Sequence, residues 1–158
     1  DEAARLPYSH GFDRLEQIRW FAALGEPAYA TLLRLATDPR DDVAAAALAA
    51  LGMTLDSRLV HPIQAMSWSE ERRKGDLGLE RARTLERLGD WSEMPVLVRG
   101  LRDERLFTRS LCADALKEAT RETQGYDARA ESGEREKAVQ RWELWWLQRT
   151  GEGILPNR

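Results

Sequence analysis

The chain has 158 residues, 42% of them hydrophobic and 32% charged, which suits one compact globular domain and excludes a large multidomain enzyme. Lys plus Arg number 24 against 27 for Asp plus Glu, so the formal charge of −3 offers no global field for nucleic acid or an anionic membrane. One cysteine, Cys112, excludes an internal disulfide and a Cys-rich zinc site, and His10 and His61 leave little for a His-built metal centre, so neither cofactor nor metal is expected.

Taken in chain order, apolar periodicity predicts eight helices in four antiparallel pairs: 12–24 with 26–37, 41–52 with 56–68, 76–88 with 91–102, and 104–121 with 134–149. Residues 1–11 and 150–158 read as tails on a single domain spanning 12–149, and strand signals are absent. Asp41 or Asp42, Asp56 and Asp90 are expected as N-caps, and Pro27, Pro62 and Pro95 fall in the first turns of second helices, where a missing N–H is tolerated. Leu24-Gly25, Leu51-Gly52 and Leu88-Gly89 each close an apolar segment, with the glycine expected as a left-handed cap; Leu116 closes a fourth without one. The stretch Ser69–Gly78 is the long connection, carrying part of a helix.

An internal repeat appears at an offset of 65. Leu32, Leu33, Arg34, Ala36 and Asp38 face Leu97, Val98, Arg99, Leu101 and Asp103. The match runs on from Val43, Ala46, Ala47, Ala50 and Leu51 to Thr108, Leu111, Cys112, Ala115 and Leu116. Asp38-Pro39…Val43…Ala46-Ala47…Ala50-Leu51-Gly52, with Leu59-Val60-His61-Pro62-Ile63 and Met94-Pro95-Val96-Leu97, resembles the helix pairs of HEAT repeats, including the short bacterial HEAT-like or lyase type. Asp103 and Arg109 match the inter-repeat ladder of that family, while Ala44 stands where the earlier copy would carry the arginine. Gly125-Tyr126-Asp127 followed by Trp142, Trp145 and Trp146 is similar to the closing segment of bacterial HEAT-repeat proteins. The resemblance implies an all-α, right-handed α-solenoid of about four antiparallel helix pairs, acting as a non-enzymatic protein-interaction scaffold. An Arg-heavy, Ala-rich composition agrees with a bacterial source of high G+C content.

Ala138, Val139, Trp142, Trp145 and Trp146 share a stripe about 120° wide on the last helix, as a docked helix requires. Leu144 and Leu147 lie opposite, so Ile154-Leu155-Pro156 folding back, a partner, or further repeats of a longer chain are expected to cover them. Trp20 occupies the register held by Ala47, Thr84 and Cys112 in later units, and Cys112 reads as a small core residue. In a HEAT stack the second helices line the concave side, which makes Arg34, Met66, Arg99 and Arg102, extended by Arg105 and Arg109, the candidate site for a protein partner with an acidic peptide segment; the competing reading is solvated arginines paired with Glu93, Asp103 and Glu104. Phosphate loops, His-Glu-x-x-His, Gly-x-Ser-x-Gly and Cys-x-x-Cys are all missing, and no catalytic residue is assigned. The family's enzymes, DNA glycosylases and chromophore lyases, form the alternative; 3 Lys against 21 Arg and the near-neutral charge speak against a phosphate-tracking groove and a nucleic-acid partner. No apolar run reaches the roughly 20 residues that span a bilayer, so membrane insertion is not expected. A start at Asp1 fits a cytoplasmic protein or an exported one after leader removal.

Overall fold

The computed structural model describes residues 2–6 and 9–155. Its regular structure among these residues is entirely helical: α1 (Glu2–Arg5), α2 (Gly11–Leu24), α3 (Tyr29–Leu35), α4 (Asp41–Met53), α5 (Val60–Gln64), α6 (Glu70–Lys74), α7 (Asp76–Arg87), α8 (Met94–Gly100), α9 (Leu106–Thr120) and α10 (Ser132–Thr150). Single 3-10 turns, Glu26–Ala28 and Ser57–Leu59, lead into α3 and α5. The chain divides into two compact units, Asp1–Trp91 and Ser92–Arg158.

In the first unit α4 is the central helix and packs against α2, α3 and α7. Its sequence explains that place. Val43, Ala44, Ala46, Ala47, Leu48, Ala50, Leu51 and Gly52 are all buried, so the helix is apolar nearly all round, and its alanines let neighbouring backbones approach. Asp41 and Asp42 occupy the first turn, where carboxylates suit the positive helix end, but the N-cap is Arg40 rather than either aspartate. Gly52 is not a cap: α4 runs on to Met53, a Cβ added at Gly52 would meet Thr84 of α7 at an ordinary 3.5 Å, and Leu55 takes the left-handed turn at φ 56°. Gly25 and Gly89 do adopt positive φ where the repeat places them.

Residues expected as an N-terminal tail are tied in. Leu6 is buried in the core, and Arg14 of α2 donates Nη2 to the Leu6 carbonyl (3.1 Å), Nε to the Ser9 carbonyl (2.9 Å) and Nη1 to the Asp42 carbonyl (3.1 Å). Asp56 is the N-cap expected of it, accepting from the Arg58 N–H at 3.0 Å. Asp90 is not; Glu93 precedes α8, while Asp90 accepts from Gln64 Nε2 at 2.7 Å.

The Ser69–Gly78 connection carries α6, capped by Ser69, which accepts from the Arg72 N–H. At Gly78 the backbone of α7 meets that of α6 so closely that an added Cβ would lie 1.8 Å from the Arg73 carbonyl oxygen. Gly78→Ala is therefore expected to displace α6 and cost about 1–3 kcal/mol in urea unfolding; a change below about 0.5 kcal/mol would contradict the close approach.

The second unit is built on α9, which packs with α8, and α10, which also packs on α8. Ala138, Val139, Trp142 and Trp146 are buried and Trp145 is half-buried, as the stripe requires. Trp142 and Trp145 meet edge to face with centroids 5.4 Å apart. α9 continues past Leu116 to Thr120, where a device absent from the glycine pattern ends it. Thr120 donates to the Leu116 carbonyl (2.7 Å) and accepts from the Glu122 N–H (3.1 Å), with Arg121 at φ 64°. Thr150 repeats it at the end of α10, donating to the Trp146 carbonyl (2.9 Å) and accepting from the Glu152 N–H (3.1 Å), with Gly151 at φ 77°. Between the two helices Tyr126 donates to the Leu101 carbonyl at 2.6 Å, and Arg141 Nε holds the Gln124 carbonyl at 2.7 Å.

Candidate interaction surface

Arginine use decides which candidate residues face outward with free charge. The 65-residue recurrence reaches hydrogen-bond detail in the two units. Asp38 accepts from the Arg40 N–H (2.9 Å) and Nε (2.9 Å), and Asp103 accepts from the Arg105 N–H (2.8 Å) and Nε (3.0 Å). Asp56 and Arg58 form a third such pair (3.0 and 3.1 Å), to which Tyr29 adds its hydroxyl at 2.8 Å. Each Asp-x-Arg sequence folds its own guanidinium back on the carboxylate that receives the backbone N–H. Asp38 is held down to about 2, first by the Arg40 side-chain hydrogen bond and then by the Arg40 N–H. A folded-state value below the unfolded one contributes stability that is present above the ordinary carboxylate range and lost as pH falls toward about 2. Asp38→Asn is accordingly expected to make the thermal midpoint fall less steeply than in wild type below about pH 4; an unchanged acid limb would exclude this pairing in solution.

In the first unit Arg34 is exposed on α3, and Met66 is buried. Burial removes Met66 from the candidate surface, because its side chain fills the core after α5. In the second unit Arg109 is buried as well and spent on main-chain carbonyls: Nε on Ala128 (3.1 Å) and Nη1 on Asp103 (2.9 Å) and Glu104 (2.7 Å). It is an internal clamp, with no free charge for a partner.

Arg102 lies on the surface between two carboxylates of α10, Glu136 (Nη2 to Oε1, 2.8 Å) and Glu143 (Nη1 to Oε1, 2.6 Å), which raise its already high pKa. Arg99 is half-buried, its pKa lowered by that burial, and Nη1 donates to the Leu155 carbonyl at 3.3 Å. Arg102 is therefore balanced by Glu136 and Glu143, while Arg99 contacts the Leu155 carbonyl, so the two arginines do not present equal free charge. The partners proposed from spacing, Glu93 and Glu104, are replaced for Arg102 by residues far along the chain; Asp103 pairs with Arg105.

The carbonyl contact at Arg99 brings the chain after α10 back toward α8, yet Leu144 and Leu147 remain exposed, with Ile154 half-buried and Leu155 exposed. The expected cover over the two leucines is thus not supplied by residues 154 and 155; Pro156 lies outside the described residues.

A larger apolar surface lies on α2. Its inner face buries Ile18 and Phe21 against the core, with Gln17 beside them. Its outer face exposes Phe12 (68%), Leu15 (52%), Trp20 (47%) and Leu24 (43%), around Asp13, Glu16, Arg19 and Ala23, which are exposed too. Trp20 alone stood out from sequence. The rest of the patch had a readable signal, since Phe12, Leu15, Ile18, Phe21 and Leu24 recur every three residues and cannot all face one core at 100° per residue.

Cys112 is fully buried, and no group of three or more His, Cys, Asp or Glu among the described residues is placed to hold a metal ion. No helix among them is long and apolar enough to cross a membrane. Comparison with protein-family models, curated proteins and solved structures finds no match for the chain.

Proposed function

We propose that the chain is a non-enzymatic protein-interaction module or assembly subunit, built from HEAT-like helix pairs of a short α-solenoid, whose docking face is the outer side of α2. One observation carries the docking face: α2 carries large apolar side chains on both sides, and among the described residues those on the outer side are exposed while those on the inner side are packed in the core. Exposed apolar surface of this size marks protein contacts in soluble proteins. The HEAT-like reading is supported by the recurrence of the Asp38-Pro-Arg40 turn as Asp103-Glu-Arg105 before α4 and α9, with closely similar hydrogen bonds.

The test is affinity purification of the full chain with mass spectrometry, in three arms: wild type, Phe12→Ala with Trp20→Ala, and Arg34→Glu with Arg99→Glu and Arg102→Glu. Loss of a stoichiometric bound protein in the α2 arm and retention in the arginine arm is the expected result. Loss in the arginine arm alone would restore the basic strip as the docking site, and salt-sensitive DNA binding without any bound protein would replace the module reading.

A further inference from the structure

We propose that the occupant of the α2 face is a second copy of this chain, packed antiparallel through the same face about a twofold axis; this rests on reading that face as a docking surface. At 100° per residue Phe12, Glu16, Arg19 and Ala23 form the central row of the outer side, with successive steps of four, three and four. Leu15 flanks the row on one side, and Trp20 and Leu24 flank it on the other.

Antiparallel twofold packing places residue i against residue j of the second copy where i and j have a constant sum. Centring the axis between Gln17 and Ile18 sets Phe12 against Ala23 of the second copy, a large side chain on a small one, at both ends of the contact. The same register sets Glu16 against Arg19 of the second copy, twice. An isologous contact requires a surface complementary to itself, and this row satisfies that in both size and charge. Displacing the axis by one residue toward either end forfeits the doubled charge match. Glu16 and Arg19 are both exposed, and neither has an ion-pair partner among the described residues, so both are available for it.

The 14 residues of α2 span about 21 Å. One helix from each copy makes a contact at the low end of specific interfaces, below roughly 1,200 Å² in total. A reversible, concentration-dependent dimer follows, rather than a permanent one. Trp20 supplies a large rigid anchor on the flank, and Glu16 and Arg19 fix the register.

Sedimentation velocity across a dilution series of the full chain tests this with exposed substitutions that leave the core intact. Wild type is expected to shift from monomer to dimer with concentration. Glu16→Arg sets arginine against arginine, and Arg19→Glu sets glutamate against glutamate, so each variant alone is expected to weaken the dimer about tenfold. An equimolar mixture of the two variants restores both opposite-charge pairs and is expected to dimerise nearly as wild type. A wild type that stays monomeric overturns the proposal, as do single variants that dimerise like wild type, or a mixture that recovers nothing. A monomeric wild type that still captures a different protein through Phe12 and Trp20 would reject the second copy as occupant and leave the docking face standing.

Discussion

Trp142→Ala is expected to destabilise the second unit by about 3–5 kcal/mol, the cost of emptying a buried aromatic site. Trp142 is 1% exposed and belongs to the apolar stripe of α10, the helix that packs on α8. Its loss removes an indole of the size that anchors small cores, together with the edge-to-face contact to Trp145. Trp145→Ala removes the same ring contact from a half-buried position and is expected to cost less than half as much. Urea unfolding followed by far-UV circular dichroism separates the two without depending on tryptophan emission. Equal costs for the two variants would mean that the stripe is not packed as described. Trp142→Phe, which retains most of the apolar volume, is expected to fall between alanine and wild type.

Local patterns carried most of the fold. The periodicity of 12–24, 41–52, 76–88 and 104–121 lies close to α2, α4, α7 and α9, because burial of one helix face is written in spacing a few residues long. Glycine misled at Gly52 for a physical reason: the residue is buried inside α4, which runs on to Met53, and the left-handed turn falls at Leu55 instead. The Asp-x-Arg pairs at 38, 56 and 103 are equally local, and their shared first and third residues could have been read as a turn signal before a helix.

Side-chain charge was the illegible part. Arg102 finds Glu136 and Glu143, 34 and 41 residues away, and nothing in the neighbouring sequence announces a helix returning to that point. Ala44, which stands 65 residues before Arg109, gives the sharpest example. Asp38, the counterpart of Asp103, still has its carbonyl held, by Arg72 Nη2 from α6 at 2.8 Å. An offset comparison looks for the arginine on the same helix and cannot find one delivered by the connection. The α2 patch was missed in the same way, since a sequence shows that a helix is apolar on two sides but not which side a neighbour takes.

That substitution of one arginine for another leads to the second large effect. Arg109→Met is expected to cost about 2–4 kcal/mol, although methionine retains the apolar stem, because three main-chain carbonyls lose a charged donor at once. The three lie in two separate segments: Asp103 and Glu104 in the turn before α9, and Ala128 in the loop between α9 and α10. Arg109 is therefore a crosslink between these segments, and its absence takes the charged donor from three part-buried carbonyls. Arg109→Lys keeps the charge but cannot reproduce the fork, so it should recover only part of the loss. Arg72→Met in the first unit removes one carbonyl contact and an ion pair with the exposed Asp41, from a side chain that keeps more contact with water. Its expected cost is about 1 kcal/mol. Amide exchange distinguishes a crosslink from a general loss of stability: in Arg109→Met the N–H groups of Arg105 and Arg129, which directly follow the clamped carbonyls, should exchange faster by a larger factor than those inside α10. If Arg72→Met costs as much as Arg109→Met, burial and the number of carbonyls held are not what sets the strength of these arginine clamps.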